Sequence, residues 1–231
     1  NPREGYVKKG WRFVPFELVD VAGLVEGASE GKGLGNQFLD DLTSADALIH
    51  IVDVSGETDA EGKPTENYNP INDIKIIEFE LDKWYLGIFK KVWNNFLRTI
   101  KVQKTEFHVA VTKQFSGLKV SEENVKKIVT KEKINTENIA SWTDKELMKF
   151  AQTLRKNTKP MIIAANKIDR PNGRENYEKL KKEFSYPIVP CFSDGELALK
   201  EADRLGLIDY IPGEKSFDII ALMAMPIVFG V

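Results

Sequence analysis

Two short clusters carry residue types whose spacing suits phosphate and base chemistry. Asp20-Val21-Ala22-Gly23 puts a carboxylate three residues ahead of a glycine. A carboxylate at a strand end can hold Mg²⁺ through water, and the glycine lets a backbone N–H approach a terminal phosphate. On its own this pattern is common in chains of this size. Asn166-Lys167-Ile168-Asp169 is more informative. Its carboxylate can accept two N–H donors from the edge of guanine, its Asn amide can bridge loops, and the Lys stem can lie flat on the base. Adenine presents the wrong pattern to that carboxylate, so such a site rejects it as any hydrogen-bonding pocket rejects a ligand lacking the partner group. The plain alternative is a helix N-cap surrounded by solvated charges. Two such clusters in this order, each at a strand end, favour the nucleotide reading.

Strands must deliver these residues. Residues 12–19 alternate and then turn fully apolar before Asp20; 47–54 form a β-branched run ending near Asp53; 160–165 form another that ends at Asn166. A shorter candidate is 187–190. Runs of this kind suit parallel strands covered on both faces by helices. Helical patterns at 34–45, 174–184 and 195–205 lie between them, giving an α/β, doubly wound, mostly parallel sheet. Ligands of such sheets sit beyond the carboxyl ends of the strands. Those ends carry Asp20, Asp53, Asn166 and the Cys191–Gly195 loop.

The stretch 71–157 has no convincing strand and reads as helices over 72–103, 105–116, 121–132 and 143–156. Thr143-Asp144-Lys145-Glu146 has the form of a capping box. It holds 17 Lys+Arg against 11 Asp+Glu, a net of +6, while the remainder carries 16 against 24, a net of −8. The expected organisation is a nucleotide-binding domain formed by 1–70 and 158–231, with 71–157 inserted as a helical subdomain. Over all 231 residues the net charge is −2, which excludes a wholly basic nucleic-acid binder, and no DNA partner is expected. Collagen-like, disordered and disulfide-scaffold compositions are excluded. The single cysteine, Cys191, forms no internal bridge and fits a reducing, cytoplasmic setting. The start lacks the apolar run of a signal peptide. The uncharged tail 219–231 contains Pro226 and falls short of the roughly 20 residues that span a bilayer; a buried strand is expected there, and no membrane association.

Residues 20–39, DVAGLVEGASEGKGLGNQFL, resemble the third guanine-nucleotide motif and glycine-rich continuation of the Obg family of P-loop GTPases. The run DDLTSADALIHIVDVSGETDAEGKPT, with a helical insert ahead of NKID, is most similar to the YchF/Ola branch in its archaeal form. The resemblance implies Mg²⁺-dependent hydrolysis of GTP to GDP and phosphate, and association with the ribosome or ribosomal RNA. By position, Asp20 and Gly23 would sense Mg²⁺ and the γ-phosphate, with Asp20 holding the metal through water. Asn166, Lys167 and Asp169 would read the base, backed by the loop Cys191-Phe192-Ser193. The phosphate loop G-x-x-x-x-G-K-[ST] and a first switch do not occur in these residues; the family places both ahead of residue 1, so an N-terminal part is expected to be missing. Leu24 stands where many GTPases carry a water-orienting Gln, a substitution the family shares, and it cannot polarise water. Many relatives have a degraded base motif and prefer ATP, whereas NKID is intact, which favours GTP. Phe192-Ser193-Asp194 departs from the usual fifth motif. An ATPase on the same fold and a non-catalytic ribosome- or RNA-binding module regulated by nucleotide are the alternatives.

Trp84, Tyr85, Phe89, Trp93 and Phe96 recur at helical spacing. They suit packing between insert helices; the rival reading is an exposed aromatic face interleaved with Lys90, Lys91 and Arg98 that binds RNA. His50 reads as a satisfied core histidine, and His108 lacks a metal-ligand pattern. The Gly-rich run 31–35 suits a mobile switch.

Overall fold

The computed structural model describes residues 6–21, 27 and 42–220. The chain begins with a hairpin, β1 (Tyr6–Lys8) against β2 (Trp11–Phe13), joined by Lys9 and Gly10, both at positive φ as a type I′ turn requires. Strand β3 (Leu48–Asp53) leads into four helices: α1 (Ile71–Gln103), α2 (Phe107–Gln114), α3 (Glu122–Lys131) and α4 (Asp144–Thr158). Strand β4 (Met161–Asn166), helix α5 (Gly173–Glu183) and strand β5 (Ile188–Pro190) follow. The chain closes with α6 (Ser193–Arg204), β6 (Ile208–Asp209) and β7 (Asp218–Ile219). It divides into two compact units, residues 21–190 and residues 1–20 with 191–231.

In the larger unit β3, β4 and β5 form a parallel sheet in that order, His50 opposite Ile163 and Asp53 opposite Asn166. Val52, Met161, Ile163 and Ala165 point to one face and pack against Ile74 of α1 and Leu180 of α5. Ile49, Ile51 and Ile162 on the other face are exposed, so helices among the described residues cover one face of the sheet and not the two expected. The expected α/β class with a parallel sheet and helices is what the chain adopts.

Helices α1 to α4 make a second core of their own. Tyr85, Phe89 and Phe96 are buried there with Phe107, Phe115 and Phe150, and Trp84 and Trp93 pack against them. The aromatic spacing therefore signals helix packing, and the exposed aromatic face is excluded. Residues Tyr85, Phe89 and Lys90 meet Thr158, Phe150 and Asp144 in reversed order, so α1 and α4 run antiparallel. Thr143 and Glu146 form the expected capping box: Thr143 N donates to Glu146 Oε2 (2.7 Å) and Glu146 N to Thr143 Oγ1 (3.3 Å).

Where α1 and α4 meet the sheet, charges are buried. Arg155, 1% exposed, donates to Asp82 Oδ1 from Nε (2.9 Å), and Gln152 donates to Asp82 Oδ2 (2.9 Å). Tyr186, just before β5, donates to Glu78 of α1. Lys159 Nζ donates to the carbonyls of Thr43 (2.8 Å) and Ala45 (2.5 Å), tying the exit of α4 to the entry of β3.

In the smaller unit Lys8 Nζ donates to Asp203 Oδ1 (2.5 Å) and to the Tyr210 carbonyl (2.6 Å), fastening the hairpin to α6 and β6. This corrects the reading of 12–19 as a strand of the parallel sheet. Only Trp11–Phe13 is strand, it pairs antiparallel, and Val14, Phe16, Leu18 and Val19 are exposed on an irregular segment. Pro15 removes a ladder donor at the point where pairing stops. Of the helix expected at 34–45, residues 42–44 are described and helical. The expected strand at 219–231 falls mostly outside the described residues; Asp218–Ile219 pairs with β6 and is exposed.

Candidate functional site

Adjacent parallel strands bring the ends of β3 and β4 side by side. Beyond Asp53 the chain turns through Ser55 and Gly56; beyond Asn166 it turns through Lys167. Val54 N donates to the Asn166 carbonyl (3.0 Å), and Asn176 Nδ2 of α5 donates to the Val54 carbonyl (2.9 Å). The two loops are thus laced together along their backbones. Both turns need unusual backbone. Gly56 sits at φ +73°, and a Cβ there would lie 2.7 Å from the Tyr68 carbonyl oxygen. Lys167 has φ +64°, in the left-handed region.

The loop after Asn166 closes on itself: Arg170 N donates to the Lys167 carbonyl (3.1 Å) and Gly173 N to the Arg170 carbonyl (2.9 Å). Helix α5 starts only at Gly173, with Asn172 at its N-cap. Asn166 and Asp169 are therefore not helix caps, although Asp169 is a solvent-exposed charge. A side chain at 173 would strike the Lys167 carbonyl oxygen at 2.6 Å, so glycine is what lets α5 come up under the loop.

Asp53 accepts from Ser55 N (2.9 Å) and Ser55 Oγ (2.5 Å) on one oxygen, and from Thr58 Oγ1 (2.6 Å) and Lys167 Nζ (2.6 Å) on the other. Burial alone would raise its pKa, but the Lys167, Ser55 and Thr58 donors outweigh burial and hold the carboxyl below its usual range. Asp169 is exposed, hydrogen-bonds no described side chain, and lies 3.9 Å from Arg170 Nε. An exposed carboxylate beside a tethered lysine stem is able to take two N–H donors from a flat ring system. Asn166 ends β4, opposite Asp53.

The other expected site residues are placed differently. Asp20 is exposed at the end of the irregular segment in the smaller unit. Gly23 and Leu24, and the glycine-rich run 31–35, lie outside the described residues. Gly27 from the same segment is described, and its N–H donates to the buried Glu80 of α1 (2.9 Å). Phe192 and Ser193 form the start of α6 in the smaller unit, with the Phe192 ring folded over Gly195. Cys191, just before them, has its thiol pKa raised by burial, away from reactive thiolate.

His50 occupies the covered face of the sheet as expected of a core histidine. It is not a satisfied one: its Nδ1 is buried without a partner among the described residues, and burial lowers its pKa to about 4. His108 contacts Glu106 (3.1 Å) and Glu122 (3.8 Å) beside a cavity of about 450 Å³ near the C-terminal end of α1. No group of three or more His, Cys, Asp or Glu side chains among the described residues is placed to hold a metal. No helix among them is long and apolar enough to cross a membrane.

Sequence reasoning found Asn166, Lys167 and Asp169 but missed what holds them: Ser55, Gly56, Thr58 and Gly173. Aligning the polar ends of the two apolar runs, VDVSG and AANKID, would have set Asp53 opposite Asn166 and pointed to their pairing.

Comparison with known proteins follows the same two regions. Residues 164–225 match the family described as Obg-like GTPase YGR210-like, G4 motif-containing domain, and residues 1–86 match the family described as 50S ribosome-binding GTPase. An uncharacterized GTP-binding protein of Methanocaldococcus jannaschii is 46% identical over 95% of the chain and 55% of its own length. The ribosome-binding ATPase YchF of Bacillus subtilis is 31% identical over 82% of the chain and 51% of its own length. The crystal structure of a GTP binding protein from Pyrococcus horikoshii superposes with a TM-score of 0.76 at 36% identity, covering 92% of the chain and 58% of that structure. The chain spans about half the length of the curated relatives it matches.

Proposed function

The chain belongs to the Obg/YchF-type P-loop GTPases, and on that premise we propose that it holds the purine of a guanine nucleotide against the loop Asn166–Asp169. The observation that carries this reading is the exposed Asp169 carboxylate, whose one ion pair among the described residues is the long contact to Arg170, beside Lys167, whose backbone and ammonium are both constrained. Asp169 accepts the two N–H donors of guanine, Asn166 braces the loops, and the Lys167 stem covers the ring. The protein's reaction is hydrolysis of GTP to GDP and phosphate. Asp20, an exposed carboxylate of the hard-oxygen type that Mg²⁺ takes, would hold that ion through water, and the ion would neutralise charge on the phosphates. Gly23 would meet the γ-phosphate, and Leu24 supplies no polar group to the attacking water.

Calorimetry with GDP, ADP and XDP tests the base assignment. Wild-type protein should prefer GDP, and Asp169→Asn should lose GDP and gain XDP, whose edge carries a carbonyl where guanine has an amine. A wild-type preference for ADP, or unchanged GDP affinity in the variant, refutes it.

A second reading, of the partner rather than the reaction, rests on the surface of α1. From Lys83 to Thr105 the sequence has six cationic residues and no carboxylate. Lys91, Arg98, Lys101 and Lys104 are exposed along the C-terminal half of the helix, whereas Lys90 is engaged by Asp144 (2.6 Å). This strip suits the phosphate backbone of ribosomal RNA, and the domain 71–157 that bears it is the ribosome-facing part of the protein.

A further inference from the structure

We infer that Asp53 is the positioning residue for the base-covering lysine, so that nucleotide affinity depends on a carboxylate that itself touches no nucleotide. The inference rests on the guanine-nucleotide reading above and names the group that makes Lys167 competent for it. Lysine has no intrinsic liking for φ +64°; a non-glycine residue in the left-handed region is held there by its surroundings. Two anchors hold it: its carbonyl accepts from Arg170 N (3.1 Å), and its ammonium donates to Asp53 (2.6 Å). Asp53 is in turn a fixed acceptor. Its side chain is 15% exposed, four donors converge on its two oxygens, and β3 sets it opposite Asn166.

A free lysine stem samples many rotamers and must lose that freedom to lie on a ring. With the ammonium tethered at one end and the backbone fixed at the other, the methylenes are ordered before the ligand arrives. Ser55 and Thr58 contribute indirectly by orienting the carboxylate. Asp53→Asn is the sharp perturbation, because the amide oxygen can still accept from Ser55 while the NH₂ group faces the Lys167 ammonium and cannot bind it.

The test is GDP and IDP titration of the full-length protein as wild type, Asp53→Asn, Lys167→Met and the double variant, with Asp169→Asn as reference. Asp53→Asn should weaken GDP about tenfold. It should weaken IDP by the same factor, since a stem on the ring face does not sense the exocyclic amine; Asp169→Asn should instead change the GDP:IDP ratio. In the Lys167→Met background Asp53→Asn should cost no further affinity. Lys167→Met probes the same interaction from the other side and does not depend on how well Asp53→Asn folds. Amine acylation followed by mass spectrometry supplies a readout that a scaffolding role would not move: Lys167 should label faster in Asp53→Asn, while Lys179 should not. Additive losses in the double variant, unchanged Lys167 labelling, or full GDP affinity in Asp53→Asn while Asp169→Asn loses it would overturn the positioning role alone. No guanine-nucleotide binding by the wild type would overturn the base-reading proposal, and the positioning role with it.

Discussion

Replacing Arg155 by Met should be among the most damaging single changes in the chain, and its cost follows from what it leaves behind. Asp82 is 8% exposed at its side chain and receives one bond from Arg155 and one from Gln152. Burial raises its pKa in spite of Arg155, so the ionised carboxylate already sits in the fold at a disadvantage. A carboxyl whose folded pKa is raised favours the folded state at low pH and loses that advantage as pH climbs from the ordinary carboxylate range through the folded value. At neutral pH, Arg155→Met strands this charge, and breaking a buried pair from one side costs about 3–5 kcal/mol. That is a large share of a stability of roughly 5–15 kcal/mol. Removing both charges, as Asp82→Leu with Arg155→Met, should restore most of the loss, because well-packed apolar groups often match a buried ion pair. Urea unfolding followed by tryptophan fluorescence reports this directly, since Trp84, Trp93 and Trp142 all pack on the helical core. A single-variant cost below about 1 kcal/mol, or a double variant no more stable than Arg155→Met, would refute the stranded-charge argument.

Three further outcomes are expected. His50 has a folded pKa near 4 against 6.5 unfolded, so the unfolded chain binds its proton first and stability falls as pH drops from 6.5 towards 4, by at most about 3 kcal/mol; His50→Leu should flatten that limb of the pH–stability curve. Gly173→Ala should cost about 1–3 kcal/mol by pressing a methyl group on the Lys167 carbonyl, and calorimetry should show GDP affinity falling with it. Charge reversal at Lys91, Arg98, Lys101 and Lys104 should weaken binding to ribosomal RNA and flatten its salt dependence, by about 0.7 of log–log slope for each single-strand phosphate that is no longer neutralised; an unchanged slope would dissociate α1 from the RNA.

What could be read from the sequence was whatever depends on neighbours along the chain. The capping box at Thr143–Glu146 closes within one turn, and the β-branched runs of β3 and β4 announce parallel strands without reference to any partner, although Ile49, Ile51 and Ile162 leave one face exposed. The aromatic spacing of α1 predicted its buried stripe for the same reason. The segment 12–19 misled because apolar alternation marks a strand only if something covers it, and the side chains of Val14, Phe16 and Leu18 are exposed. At the site, Asn166, Lys167 and Asp169 were legible as a cluster. Their tether was not, since Asp53 and Lys167 lie 114 positions apart and only strand register unites them.

That separation also bears on the order in which the chain assembles. Pairing β3 with β4 from an unstructured chain means closing a loop of more than a hundred residues, at an entropic cost of about 4 kcal/mol. Because α1 and α4 run antiparallel and pack through their own aromatic core, the intervening chain can fold from pairs closer in sequence and deliver its two ends to the same place. Helical interactions form faster than distant strand pairs. The insert would then act as an intramolecular template: its consolidation shortens the effective distance over which the sheet must search. Mutations that loosen the Phe89–Phe115–Phe150 packing should slow formation of the β3–β4 pair, even though all three side chains belong to the helical core.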